Sequence, residues 1–85
     1  MSRRITYQTH GSCSKLIEVE IGDDGTVQDV AFVGGCHGNL QGLSALIKGM
    51  KAEDVISRVE GIRCGNKLTS CPDQLACALK TALQE

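Results

Sequence analysis

Residues 15–33 read KLIEVEIGDDGTVQDVAFV, and their reading decides the fold. Ile17, Val19 and Ile21 alternate with Glu18 and Glu20, the period-two pattern of a strand with one buried face. Asp23-Asp24-Gly25 follows as a hairpin turn, because glycine supplies the positive φ that such turns need. A further strand runs from Thr26 to Val33. Upstream, over residues 4–8, Ile5 and Tyr7 alternate in the same way. The first half of the chain is therefore predicted to be a three-stranded antiparallel meander.

Beyond Val33 the apolar period changes from two to 3.6. Leu40, Leu43, Leu46 and Ile47 make one helical stripe, with Asn39 as the expected N-cap and Gly49 as the stop. Val55, Ile56 and Val59 mark a short second helix closed by Gly61. The last helix has the clearest start. Ser70 and Asp73 have capping-box spacing, with Asp in place of the usual Glu, and Pro72 stands where the first helical residue is expected. Leu75, Ala78, Leu79, Ala82 and Leu83 form its expected buried stripe. Strands followed by helices predict an α+β fold, the three helices packed on one face of the sheet.

With 85 residues the chain is read as one domain, residues 1–85. Aromatic residues make up only 2%, so the core must be built from Leu, Ile, Val and Ala. A domain of this size buries only about 60–65% of its unfolded surface. A core so thin gains from a metal staple or from a second copy of the chain, and a homodimer is one expectation. Net charge is −1, and Arg3-Arg4 is the only basic pair, which excludes the basic stripe that nucleic acid requires. No apolar run is long enough for a bilayer, so no membrane partner is expected, and residues 1–7 lack the apolar stretch of a secretory leader. A cytoplasmic location follows as the expectation. There cysteines stay reduced and read as metal ligands or redox groups rather than as structural disulfides.

Five cysteines are present. Cys13 lies between the first two strands, in His10-Gly11-Ser12-Cys13. Cys36 lies in Gly34-Gly35-Cys36-His37-Gly38-Asn39, where strand passes into helix. Cys64 follows the second helix and Cys71 opens the last. All four sit at element ends, and a sheet-plus-helix layer brings strand ends and helix starts to one edge. Four thiolates in a tetrahedron suit zinc or an iron–sulfur cluster, since both favour soft sulfur. His10 and His37 are reserve ligands. The spacing is not that of a zinc ribbon, because no C-x₂-C knuckle exists. The bland alternative is four small buried residues filling gaps. Cys77 falls mid-helix, well round the axis from Cys71, and is set aside as a packing or surface residue.

Two other readings stay open. Cys36 and Cys71 sit at expected helix N-termini, where the dipole favours thiolate and serves a thiol–disulfide redox module as well as a metal. Cys64 with Cys71 is the pair for that module. The glycine-rich turn Gly34, Gly35, Cys36, His37, Gly38, Asn39 presents backbone N–H groups to an anion, so the phosphate of a nucleotide or of a flavin such as FMN or FAD is a third candidate. No catalytic triad or carboxylate pair stands out from the spacing.

Thr69-Ser70-Cys71-Pro72-Asp73 spells TSCPD. With Gly-Gly-Cys-His-Gly-Asn upstream, the chain resembles the short four-cysteine members of the TSCPD-domain family. Cys13, Cys36, Cys64 and Cys71 match the family's cysteines. A related domain ends the cobalamin-dependent ribonucleotide reductases, so the resemblance implies a metal or redox role and a partner in that chemistry. The order of elements is also similar to the IscU/NifU N-terminal iron–sulfur scaffold, whose three cysteines fall at Cys13, Cys36 and Cys71. Lys15 and Ser70 stand where that scaffold has Asp and His.

Overall fold

The structure is a computed structural model that describes residues 2–12, 14–35 and 37–84, with His37 described by its backbone alone. Strands β1 (Arg3–Gln8), β2 (Ser14–Ile21) and β3 (Val27–Gly34) precede helices α1 (His37–Ile47), α2 (Ala52–Val59) and α3 (Cys71–Gln84). The sheet order is β1-β2-β3 with both pairs antiparallel, the meander that the alternation predicts.

The register explains which face is buried. Tyr7, Ile17 and Phe32 share one row across the sheet, and Ile5, Val19 and Val30 share the next. Strand side chains alternate between faces, so both rows point the same way. On that face Ile17 and Val19 are fully buried and join a core with Ile21, Val27, Ile47, Ala52, Val55, Leu75, Ala78 and Leu79. The opposite face carries the row Arg4, Glu20, Asp29. Arg4 pairs there with Glu20 at 3.3 Å and Asp29 at 3.5 Å, and Lys48 reaches Asp29 at 3.5 Å. Each such exposed pair contributes about 0–1 kcal/mol, so the buried face sets the register. Helix α3 packs on β1 and β2, α1 on β3, and α2 against α3.

Residues 22–27 turn as expected, with Gly25 at φ +81° and Gly25 N–H donating to Gly22 O at 3.0 Å. The segment after α1 then adds itself to the start of β3. Val27 N–H donates to Met50 O at 2.8 Å, and Gly49 N–H donates to Val27 O at 2.9 Å. The stops at Gly49 and Gly61 hold, at φ +87° and +86°.

Three local expectations need correction. Asn39 is inside α1 rather than its N-cap, because the helix begins at His37. Leu46 is 78% exposed. At about 100° per residue it lies about 120° round from Leu40, while Ile47 lies almost in line with Leu40, and both of those are buried. Leu83, in the last turn of α3, is exposed, and the buried stripe instead takes in Gln74 and Ala76.

Candidate functional site

The TSCPD pentapeptide is first of all a helix start. Ser70 is the cap: its Oγ accepts from Asp73 N–H at 3.1 Å, and its carbonyl accepts from Gln74 N–H at 2.8 Å, the first helical bond. Cys71 is therefore the first helical residue and Pro72 the second, one place later than the sequence suggests. Pro72 is tolerated there because the N–H groups of the first turn have no helical acceptor. Asp73 does not close a capping box. Its shorter side chain turns sideways, where Oδ2 accepts from Thr69 Oγ1 at 2.5 Å and Oδ1 accepts from Gly61 N–H at 2.7 Å. The Thr69 hydroxyl first, and then the Gly61 N–H, hold the Asp73 carboxyl below the usual carboxylate range.

The other letters tie in further segments. Ser70 Oγ donates to Ile62 O at 2.7 Å. Thr69 Oγ1 accepts from Gln74 Nε2 at 2.9 Å, and the buried Gln74 Oε1 accepts from His10 N–H at 3.0 Å. Gly11, at φ +78°, lies so close that a Cβ there would stand 3.0 Å from Thr69 Cγ2. The β1–β2 turn is thus docked on the start of α3.

That docking decides where the candidate residues fall. Cys13 and Cys36 lie outside the described residues, as does the side chain of His37. Their described neighbours converge: Ser14 pairs with Gly34 across β2 and β3, and Ser14 Oγ donates to Cys71 Sγ at 3.4 Å. Cys64 joins through the main chain. Its N–H donates to Thr69 O at 3.1 Å and its carbonyl accepts from Lys67 N–H at 3.0 Å, closing a tight turn two residues before Cys71. The Cys64 thiol is exposed and Cys71 is half-buried. Among the described residues, no three His, Cys, Asp or Glu side chains gather closely enough to hold a metal ion.

The glycine-rich turn is shorter than its sequence suggests. Gly34 and Gly35 adopt φ +83° and +82°, which only glycine takes readily, while Gly38 and Asn39 are already in α1. Beside it a groove of about 500 Å³ runs between β3 and α1, lined by Phe32, Gly34, Gly35, Leu40, Ser44 and Lys48 among others. His10 is exposed and joins the network through its backbone N–H. Cys77 is half-buried on α3 beside the Tyr7 hydroxyl. Burial first, then the sulfur of Cys77 and the charge of Asp73, push the Tyr7 hydroxyl above its ordinary value.

Sequence reasoning missed Ser14, Thr69 and Gln74. The motif spelling flagged Thr69 without giving it work to do. Nothing marked Gln74, a polar residue among Leu75, Ala76 and Ala78, except that a buried amide needs partners.

A meander followed by three helices, with the TSCPD segment capping α3 and bonded to the loop before it, defines a small α+β domain whose thiol edge, among the described residues, carries Cys64 and Cys71. The chain belongs to the TSCPD domain family, which matches it over residues 2–83. No curated protein and no solved structure matches it. Among the described residues no helix is long and apolar enough to cross a membrane.

Proposed function

We propose that this protein is a metal-binding module, with one zinc ion held by Cys13, Cys36, Cys64 and Cys71. The observation that carries the reading is convergence. The bond from Ser14 Oγ to Cys71 Sγ and the pairing of Ser14 with Gly34 put close neighbours in sequence of Cys13 and Cys36 on the Cys71 side of the domain, which supports the reading. The Cys64–Thr69 main-chain bond ties the fourth beside them. Soft thiolates at four loop ends suit zinc, and a closed site of this kind is structural, adding stability to a core whose only rings, Tyr7 and Phe32, are partly buried at its margin. An iron–sulfur cluster is the alternative occupant, supported by the likeness in element order to the IscU/NifU scaffold. Ser70 argues against scaffold-type cluster transfer, since it is buried as the helix cap where that scaffold has a histidine. A place beside ribonucleotide reductase chemistry, by kinship with the reductases' terminal domain, belongs to the same proposal. The test is elemental analysis and an absorption spectrum of protein purified without oxygen, followed by chelation. One zinc per chain, with melting temperature falling on chelation and in each of the four Cys→Ser variants, is expected. Full thermal stability in all four variants would sink the reading.

A second reading rests on the groove. Its glycine-lined mouth at Gly34-Gly35 leads along α1 to Lys48, and its apolar wall includes Phe32 and Leu40, which suits a flavin or nucleotide with its phosphate near the first turn of α1. Stabilisation by FMN, FAD or a nucleotide in a metal-free preparation would favour it. A melting temperature unmoved by all of them would remove it.

A further inference from the structure

Ser14 opens β2 with 3% of its surface exposed. Its carbonyl accepts from Thr9 Oγ1 at 2.5 Å, and the residue pairs with Gly34, so its backbone is fixed from both sides. Its hydroxyl donates to Cys71 Sγ at 3.4 Å, and Ser12 Oγ stands 3.2 Å from Ser14 Oγ. A hydroxyl has one proton to give. With that of Ser14 directed at sulfur, Ser12 is the donor in their contact, its one proton shared between Ser14 Oγ and, at 3.5 Å, the Ser14 carbonyl. The result is a short relay, Ser12 to Ser14 to Cys71, reaching from the β1–β2 turn to the first residue of α3.

We propose that Ser14 is a positioning residue for the thiol edge: its hydroxyl holds the Cys71 thiolate in place and withdraws electron density from its sulfur, with Ser12 orienting that hydroxyl. The inference rests on the metal-centre reading above. A metal-bound thiolate has no proton and only accepts, so the direction of the Ser14 bond is imposed, and the negative charge shortens and strengthens it. Partners of this kind change metal affinity by about 10–100-fold and set the electronic character of bound sulfur.

The probe is Co²⁺ alone, added to the full chain and to its Ser14→Ala, Ser14→Thr and Ser12→Ala variants. Sulfur-to-cobalt charge-transfer absorption reports the donor strength of the thiolates, and competition with a chelator reports affinity. Loss of the hydroxyl in Ser14→Ala raises the energy of the sulfur lone pairs, so the band moves to longer wavelength. Affinity falls by about 10-fold or more. Ser14→Thr keeps the hydroxyl and stays near the parent protein in band position, and Ser12→Ala gives a smaller shift in the same direction. A band in the parent protein that is unmoved in Ser14→Ala overturns the role of Ser14 while leaving the metal centre standing. So does equal loss of cobalt and of melting temperature in Ser14→Ala and Ser14→Thr, which is the signature of packing alone. No charge-transfer band in the parent protein overturns the metal centre and this inference with it.

Discussion

The two ends of the domain are closed by different chemistry. At the hairpin end, segments distant in sequence meet through main chain. Val27 bonds Met50 and Gly49, and Ala52 N–H donates to Gly25 O at 2.8 Å. Side chains add to it: Arg3 Nη1 on the Ala82 carbonyl, at 3.0 Å, is a cation placed where a helix C-terminus favours one, and Arg4 and Lys48 form exposed pairs with Asp29. At the thiol end the bonds between segments run through side chains: Gln74 to His10, Asp73 to Gly61, Ser70 to Ile62, Ser14 to Cys71. Main-chain closure needs only the right turn geometry and tolerates many sequences. Side-chain closure fixes particular residues, and it is found where sulfur atoms would have to be held in register.

The largest expected effect calibrates both ends together. Leu75 is fully buried between helix and sheet, and Leu75→Ala should cost about 2–5 kcal/mol. For a chain of this length, with about 4–13 kcal/mol in all, that is a large fraction. Denaturant unfolding should show it, with amide protection lost equally at residues 25–27 and 9–14. Loss confined to one end would mean that the ends unfold separately.

Next is Gln74→Leu, which should separate them. It leaves the His10 N–H without its acceptor and Thr69 Oγ1 without this donor, at the lower end of about 1–3 kcal/mol because both groups are only partly buried. Hydrogen exchange should accelerate in residues 9–14 and 61–70 while the Gly25–Ala52 joint stays protected. Equal acceleration at both ends would remove the distinction drawn here.

A pair of glycines sharpens the comparison further. Gly11 and Gly25 share nearly the same φ, +78° and +81°, but a Cβ at Gly25 meets nothing within 4 Å and one at Gly11 meets Thr69. Gly25→Ala should therefore cost only the left-handed strain, about 1–2 kcal/mol. Gly11→Ala should cost more, because Thr69 is pinned by Asp73 and Gln74 and cannot swing aside. Adding Thr69→Ser, which keeps the hydroxyl and deletes the methyl, should recover the difference. No recovery would place the strain in the turn itself.

The contrast between the ends is also a contrast in legibility. The hairpin end could be read directly: the strands on either side of the Asp-Asp-Gly turn, the turn itself and the Gly49 stop are local signals, and each lies where it was expected. So is the cap at Ser70. The misreadings at Leu46 and Leu83 come from treating every leucine near a stripe as part of it, when Leu46 and Leu83 are exposed while Leu40, Ile47, Leu79 and Ala82 are buried. The thiol end is assembled from residues up to 64 positions apart, as His10 and Gln74 are, and no local pattern records such a bond. What the sequence did carry was chemistry, in the form of thiols beside glycines at element ends. The residues that join the segments of the thiol end, Ser14, Thr69 and Gln74, are common polar residues whose bonds exist only once the chain is folded.

The smallest expected effect is in acid. Asp73 at the thiol end and Asp24 at the hairpin end both have lowered carboxyl pKa values. The cause at Asp73 is the Thr69 hydroxyl and then the Gly61 N–H, and at Asp24 the Thr26 hydroxyl and then its N–H. Asp29 is lowered too: burial pushes it up, but Arg4 and Lys48 together outweigh that. A carboxyl whose folded value lies below its unfolded value, about 3.9, contributes stability that is complete above that value and is lost as pH falls through the folded one. The loss should therefore begin near pH 4 and grow below it, with little pH dependence from these groups at neutrality. Asp73→Asn and Asp24→Asn should each flatten the melting-temperature profile in that window. They should differ above it. Asp24 is fully exposed and bonds only within its own turn, so Asp24→Asn should leave the neutral melting temperature nearly unchanged. Asp73→Asn gives up one of its two accepted bonds, from Thr69 Oγ1 within the cap or from Gly61 N–H across to the α2 end, because an amide has a single oxygen to accept with, so it should melt lower at every pH. An acid profile that Asp24→Asn flattens and Asp73→Asn leaves intact would mean that the thiol end does not depend on an ionised Asp73, and the side-chain account of its closure would fail at its centre.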